Sequence, residues 1–234
     1  MFLDEQSQMA VYRLLNRGGI AELGHPIKEG KESSLIHATA PSGRELAVKI
    51  HTSRVFRGQE KKQYVFGDWR FRHAKRHIVL RTEEIWAEKE FRNLARLEKA
   101  RVPAPRPVAF EQNIVVMTFI GKNGVAARQL REVETFDKNR IAAEILNAFR
   151  DLVSKAGLVH GDLSPYNILL WRNRPYLIDL SQAVLTSHRE AEHLLRGDTD
   201  KMASFFVEMG LDPDPFRQLE QSLLEFVSEG RLDL

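Results

Sequence analysis

There is no cysteine in the 234 residues of this chain, which excludes disulfides and thiolate metal sites and fits a reducing compartment. No apolar run approaches the roughly 18 to 20 residues needed to cross a bilayer. The opening Met1-Phe2-Leu3-Asp4-Glu5 lacks the basic-then-apolar order of a secretory leader, so a cytoplasmic protein without a membrane partner is expected. No histidine pair or histidine–carboxylate cluster has the spacing of a zinc site, and neither an internal repeat nor a low-complexity tract is visible. Glycine is sparse where a phosphate-covering loop would want it. Ile27-Lys28-Glu29-Gly30-Lys31-Glu32-Ser33-Ser34 holds one glycine, not the three of G-x-G-x-x-G, so fewer backbone amides can approach a phosphate closely.

An overall excess of charge is also missing. Net charge is +3, with 43% hydrophobic and 29% charged residues and a mean hydropathy of -0.36, the composition of an ordinary globular chain. The charge is unevenly spread, however. Between Thr52 and Arg81 stand Arg54, Arg57, Lys61, Lys62, Arg70, Arg72, Lys75, Arg76 and Arg81 against Glu60 and Asp68. Phe56, Tyr64, Phe66, Trp69 and Phe71 are interleaved with them. Cations mixed with aromatics suit a surface that neutralises phosphates and stacks bases; a solvated loop whose aromatics pack on the rest of the fold is the plainer alternative.

The periodicities change along the chain. Apolar residues at helical spacing over Asp4 to Arg17, stopped by Gly18-Gly19, predict a short helix. Residues 20–50 read as short strands around the turn Pro41-Ser42-Gly43, and Glu83 to Ala100 as a long helix. Val102-Pro103-Ala104-Pro105-Arg106-Pro107 cannot be helix interior and reads as an extended connector. Asn113 to Ile120 reads as a strand and Gly121 to Gly124 as a loop, with helices following over Phe136 to Ala156, Arg189 to Met209 and Pro215 to Ser228. This order predicts an α+β protein: an N-terminal helix (1–19), a small β lobe (20–117, interrupted by the basic insertion 52–81), a hinge at 118–121, and a larger, mainly helical lobe (122–234), with a nucleotide in the cleft.

The densest pattern lies in the second half. His160-Gly161-Asp162-Leu163-Ser164-Pro165-Tyr166-Asn167 is flanked by the apolar runs Leu158-Val159 and Ile168-Leu169-Leu170, and Leu177-Ile178-Asp179 follows. Asp162 is placed to orient an attacking hydroxyl, and Asn167 and Asp179 to hold the magnesium that bridges nucleotide phosphates. Pro175 after Arg172-Asn173-Arg174 marks the turn of a hairpin that brings Asp179 beside Asn167. His160 reads as a brace for the loop. Lys49 in Ala47-Val48-Lys49-Ile50 matches the lysine that contacts the α and β phosphates. Its carboxylate partner is Glu90 or Glu88, with Glu90 leading because Leu94, four residues on, packs. Lys31, Ser33 and Ser34 are candidate side-chain donors toward the phosphates, and Met117, Thr118 and Ile120, at the hinge, are candidates to bind the nucleotide.

These motifs resemble the RIO kinases, nearest the first branch of that atypical protein kinase family. The match runs from Glu29-Gly30-Lys31-Glu32 through Trp69-Arg70-Phe71-Arg72 and Trp86-Ala87-Glu88-Lys89-Glu90 to Ile178-Asp179-Leu180-Ser181-Gln182-Ala183, roughly residues 20 to 210. Ser164 stands where ordinary protein kinases carry a lysine. The resemblance implies a trimmed bilobal kinase fold without the activation segment and peptide-docking subdomains; only 55 residues follow Asp179, with no A-P-E among them. It also implies ATP and magnesium (or manganese) as cofactors, and serine autophosphorylation or ATP hydrolysis as the activity. Catalysis would use Lys49, Asp162, Ser164 and Asp179, the last able to form an aspartyl-phosphate. Ribosomal RNA or a maturing small ribosomal subunit, met through block 52–81, is the implied partner. Two alternatives stand beside this reading: an RNA-binding assembly factor using ATP as a switch, and a small-molecule phosphotransferase of the aminoglycoside or choline type. Gly161, Pro165 and Thr118 depart from the residues usual in the first branch.

Overall fold

In the computed structural model, which describes residues 3–30, 32–52, 67–71 and 82–232, the chain divides into two contact units. The first comprises residues 1–95 and 105–126, the second 96–104 and 127–234.

The first unit is built on a five-stranded antiparallel sheet of order β1-β2-β3-β5-β4: β1 (Glu22–Glu29), β2 (Ser33–Thr39), β3 (Glu45–His51), β4 (Pro107–Glu111) and β5 (Ile114–Thr118). Strand alternation sorts the side chains. Ile36 and Ala38 of β2, Leu46, Val48 and Ile50 of β3, and Ile114 and Val116 of β5 share one face, covered by Ala10, Val11 and Leu14 of helix α1 (Glu5–Asn16). Asp4 caps that helix, accepting from the Ser7 amide at 2.7 Å. Asn113 joins helix to sheet, its Nδ2 donating to Ser7 Oγ at 2.8 Å and to the His51 carbonyl at 2.9 Å.

The expected hinge at 118–121 lies inside this unit. Gly121–Lys122 (β6) and Val125–Ala126 (β7) pair as a hairpin where a loop was expected, and Asn123 and Gly124 supply the left-handed conformations its turn needs (φ 53° and 73°). The Glu45 carboxylate takes the amides of Asn123 at 3.1 Å and Gly124 at 2.6 Å. The hairpin is thereby tied to β3.

Helix α2 (Thr82–Ala100) supplies Ile85, Trp86, Leu94 and Leu97 as buried apolar residues. It also buries Lys89, Glu90 and Asn93, which a solvated helix face would not do. The short segment 67–71 accounts for part of this. Asp68 is buried and takes the Arg70 guanidinium on both oxygens, with Nη2 at 2.6 Å from Oδ2 and Nε at 2.9 Å from Oδ1. Nη1 of Arg70 continues to Asn93 Oδ1 at 3.0 Å, and the Phe71 ring, also buried, has the Arg92 guanidinium over it at 5.3 Å. Arg70 and Phe71 therefore belong to the packing, whereas Trp69 is 55% exposed. The rest of basic block 52–81, apart from Thr52, falls outside the described residues, as does Lys31.

The second unit is mainly helical: α3 (Lys138–Ser154), α4 (Ala191–Glu208) and α5 (Asp214–Leu232). Phe149 of α3, Phe206 of α4 and Phe216 of α5 meet in one aromatic contact, with ring centroids 5.9 Å and 4.8 Å from Phe216. Against the helices lie two small antiparallel ribbons. In one, β8 (Arg128–Gln129) and β11 (Arg174–Leu177) flank β10 (Ile168–Trp171); in the other, β9 (Leu158–Val159) pairs with β12 (Val184–Leu185). The β10–β11 hairpin turns at Arg172-Asn173, both left-handed (φ 50° and 56°), and not at Pro175, which sits in β11 opposite Leu170. As the edge strand of its sheet, β11 tolerates the missing N–H. Among the described residues no helix is long and apolar enough to cross a membrane.

Lys89 carries a measurable consequence. Full burial drives its pKa from 10.5 down to about 7, partly opposed by the attraction of Asp68. Between those two values the unfolded chain holds a proton that the fold has released, so the Lys89 contribution makes stability rise with pH across that window; below about 7 the burial cost is present in full. Wild type is expected to gain thermal stability between about pH 7 and pH 9 relative to Lys89→Met, as read by calorimetry. Parallel pH profiles for the two proteins would show that Lys89 does not titrate in this way.

Candidate active site

The alternation that sends Val48 and Ile50 toward α1 sends Lys49 and His51 to the other face of the sheet. There α2 presents Glu90, almost completely buried. Its Oε1 accepts from Lys49 Nζ at 2.8 Å and its Oε2 from His51 Nε2 at 2.8 Å. Both carboxylate oxygens are thus engaged and the lysine is fixed in position. Glu88 is spent elsewhere, pairing with Arg92 at 2.6 Å one turn along the helix, so the partner of Lys49 is Glu90. His51 went unrecognised in the sequence, although its place two residues after Lys49 in the same strand puts both on one face.

The remaining first-unit candidates separate by face. Ser33 pairs with His51 and shares the Lys49 face, whereas Ser34 pairs with Ile50 on the α1 face. Both serines lie within β2, so the turn between β1 and β2 is shorter than expected and Ser34 is directed away from the lysine. Gly30 closes this turn, its amide donating to the Ser33 carbonyl at 3.0 Å. Met117, buried in β5, pairs with Ala47 on the Lys49 face, and the Thr118 hydroxyl accepts the Arg106 amide at 2.9 Å. Ile120 is half-buried beyond the end of the strand.

In the second unit the two ribbons bring the other candidates together. Loop 160–167 connects β9 to β10, and loop 178–183 connects β11 to β12, so each loop joins the same two ribbons. The Ile178 amide donates to the Asn167 carbonyl at 3.0 Å, and His160 Nε2 donates to the Ile178 carbonyl at 3.1 Å. His160 is accordingly a brace. Asn167 Nδ2 donates to the Asp162 carbonyl at 2.8 Å and to Asp162 Oδ2 at 3.2 Å, which leaves the amide oxygen of Asn167 as the atom it can offer a hard cation. Asp179 adopts a left-handed backbone (φ 62°) and accepts from Ser181 Oγ at 2.7 Å. A non-glycine residue held there carries strain that the surrounding structure must sustain, as is frequent at functional sites. Ser164 begins the 3-10 turn Pro165–Asn167 and borders, with Asp162, a concavity of 420 Å³.

Asp198 of α4 was not singled out in the sequence, yet it organises this loop. It is buried and accepts from the amides of Gly161 at 2.9 Å and Leu163 at 2.7 Å, one on each side of Asp162. Burial pushes its carboxyl above the ordinary range, against the attraction of His160 and the two amide bonds. A lone acid between Leu194, Leu195 and Met202 on a buried helix face was the available signal. Gly161 has φ 79°, and a side chain there would also press on the Gln182 carbonyl, 3.3 Å from its Cβ.

Asn167 and Asp179 supply one amide oxygen and one carboxylate. That donor set suits a magnesium ion that draws its other ligands from phosphates and water. Among the described residues no group of three or more His, Cys, Asp or Glu forms a dedicated metal cage.

Comparison with known proteins bears on the fold and the family. The fold matches the Rio2 kinase of Chaetomium thermophilum, a structure described as its ADP/Mg2+-phosphoaspartate complex, with a TM-score of 0.65 over 94% of this chain and 70% of that one, at 20% identity. The RIO domain family model matches residues 34–219. The RIO-type serine/threonine-protein kinase Rio1 of Haloferax volcanii is 36% identical over 96% of this chain and 75% of its own length. Serine/threonine-protein kinase rio1 of Dictyostelium discoideum is 35% identical over 97% of this chain, but the chain spans only 39% of that protein. The chain belongs to the RIO domain family.

The geometry distinguishes the two acids on α2. Glu90→Ala strands a buried ammonium and is expected to cost about 3 to 5 kcal/mol of unfolding free energy, whereas Glu88→Ala, breaking a partly exposed pair, costs under about 1 kcal/mol. Urea denaturation of both variants gives the comparison; equal losses would mean that the Lys49–Glu90 contact is no anchor.

Proposed function

We propose that this chain is an ATP- and magnesium-dependent serine kinase of the RIO type, with autophosphorylation or ATP hydrolysis as its activity. The observation that carries the reading is the second-unit constellation: a half-exposed Asp162, Asn167 bonded to it, and a left-handed Asp179 one hydrogen bond away through Ile178. The ADP/Mg2+ complex of the Rio2 relative supports the choice of cofactors.

Each residue then has a role. Lys49, fixed by Glu90, binds nucleotide phosphate oxygens, with Ser33 on the same face and Lys31 nearby in sequence; Met117, Thr118 and Ile120 border the base. The oxygen of Asn167 and the carboxylate of Asp179 hold the metal. When bound, magnesium neutralises phosphate charge as it is transferred. Asp162 accepts a hydrogen bond from the attacking hydroxyl and so fixes its approach, and Ser164 lies beside it. Asp179 is also the carboxylate able to take the phosphoryl group itself, its oxygen forming the new bond as ADP leaves. The broader role is the maturation of a small ribosomal subunit, with ribosomal RNA met through the cations of block 52–81 other than Arg70, which Asp68 already neutralises.

Incubation with γ-labelled ATP and magnesium tests the reading. Wild type is expected to yield acid-stable protein label or free phosphate, and Asp162→Asn and Asp179→Asn to reduce both by at least about 100-fold. Undiminished turnover in both variants would remove the assigned site. For the RNA surface, Arg72→Gln, Lys75→Gln and Arg76→Gln together are expected to weaken RNA binding and flatten its salt dependence. Arg70→Gln should instead lower the melting temperature. An RNA affinity insensitive to the triple substitution would count against this partner.

A further inference from the structure

The loop from His160 to Asn167 contains no lysine or arginine, although a phosphoryl group in transfer spreads negative charge over its equatorial oxygens and calls for cations beyond the metal. Helix α4 brings one. Lys201 Nζ lies 2.7 Å from Asp162 Oδ1, the carboxylate oxygen opposite the one that receives Asn167. Lys201 follows Asp198 by three residues and so shares its side of the helix. A single helix face therefore fixes the backbone on both sides of Asp162 through Asp198 and reaches its carboxylate through Lys201. Ser204, Phe205 and Glu208 continue the same face as a wall of the 420 Å³ concavity, onto which Asp162, Ser164, Tyr166 and Lys201 all open.

The second cation there, Arg131, is committed elsewhere. It pairs with Glu208 and lies over the Phe205 ring at 5.9 Å. Lys201 is half-exposed at the opening. A carboxylate oxygen accepts more than one hydrogen bond, and two donors on one such oxygen stand about 4 Å apart. A hydroxyl received by Asp162 is thus about 4 Å from the Lys201 ammonium, and the phosphorus it attacks lies about 3 to 3.5 Å from that hydroxyl. An attack on the side of Asp162 that faces α4 brings the transferring oxygens within hydrogen-bond reach of that ammonium.

We propose that Lys201 is a catalytic residue of this chain, supplying from helix α4 the positive charge that stabilises the phosphoryl group during transfer to a hydroxyl held by Asp162. This rests on the assignment of Asp162 above. The ammonium keeps its proton throughout; the hydroxyl oxygen bonds to phosphorus, the bond to the ADP oxygen breaks, and the hydroxyl proton leaves by way of Asp162.

The test uses the full chain with Lys201→Met, Lys201→Arg and, in parallel, Asp162→Asn, measuring turnover at saturating ATP, the nucleotide Kd and the melting temperature. Lys201→Met is expected to lower turnover about 100-fold, the loss typical of one transition-state charge partner, with nucleotide Kd changed by less than about twofold. Lys201→Arg should recover most of that loss. As a half-exposed ion pair the contact contributes under about 1 kcal/mol to stability, so folding should survive both substitutions. Turnover of Lys201→Met within about threefold of wild type would overturn the proposal, leaving a surface salt bridge. So would a fall in turnover matched by an equal loss of nucleotide affinity or by unfolding. If Asp162→Asn retains full turnover, the failure belongs to the assignment of the loop itself and takes the role of Lys201 with it.

Discussion

A carboxylate withdrawn from water is tolerated only where donors surround it, and Asp198 obtains its donors from the loop it supports. The amides of Gly161 and Leu163 converge on it, which fixes the backbone on both sides of Asp162 and leaves the intervening side chain directed outward. Gly161 must adopt a left-handed conformation for this to happen, and Asn167 can reach Asp162 only because the loop curls in this way. Helix α4 and the loop are held in one arrangement by a single buried acid. His160 and Ile178 close it from the other side.

The first unit solves a similar problem with a strand. One face of β3 is given to Leu46, Val48 and Ile50 against helix α1, and the other carries Lys49 and His51 against Glu90. An apolar face secures the strand so that its polar face can be presented accurately, and α2 returns a carboxylate with both oxygens in use. Burial makes the pair rigid: a lysine that would sample many rotamers in water is held by a partner that has no solvent to turn to.

Much of this was legible in the sequence. The strands about Pro41-Ser42-Gly43, the long helices and the D-x-x-x-x-N loop with its following Ile-Asp all carry short-range signals, and the structure places them within a few residues of expectation. Glu90 was the favoured partner of Lys49 because Leu94 marks the buried face. What escaped depended on contacts distant in sequence. Asp198 and Lys201 are unremarkable in an amphipathic helix until the loop 37 or 39 residues earlier folds against them. Ser34 read as a loop donor because strand boundaries are uncertain by a residue or two, and one residue decides the face. Arg70 read as a free cation because nothing local shows that Asp68, two positions back, is buried with it. The turn was read over Arg172-Asn173-Arg174 with Pro175 as its mark, whereas Arg172-Asn173 alone form the left-handed pair and Pro175 already belongs to β11.

The small knot of Asp68, Arg70 and Phe71 reaches the lysine site without touching it. Arg70 bridges the buried Asp68 to Asn93, three residues after Glu90 on the same helix, and the Arg92 guanidinium lies over the Phe71 ring. A substitution at Asp68 therefore acts on Lys49 at second hand, by loosening the turn of α2 on which Glu90 stands.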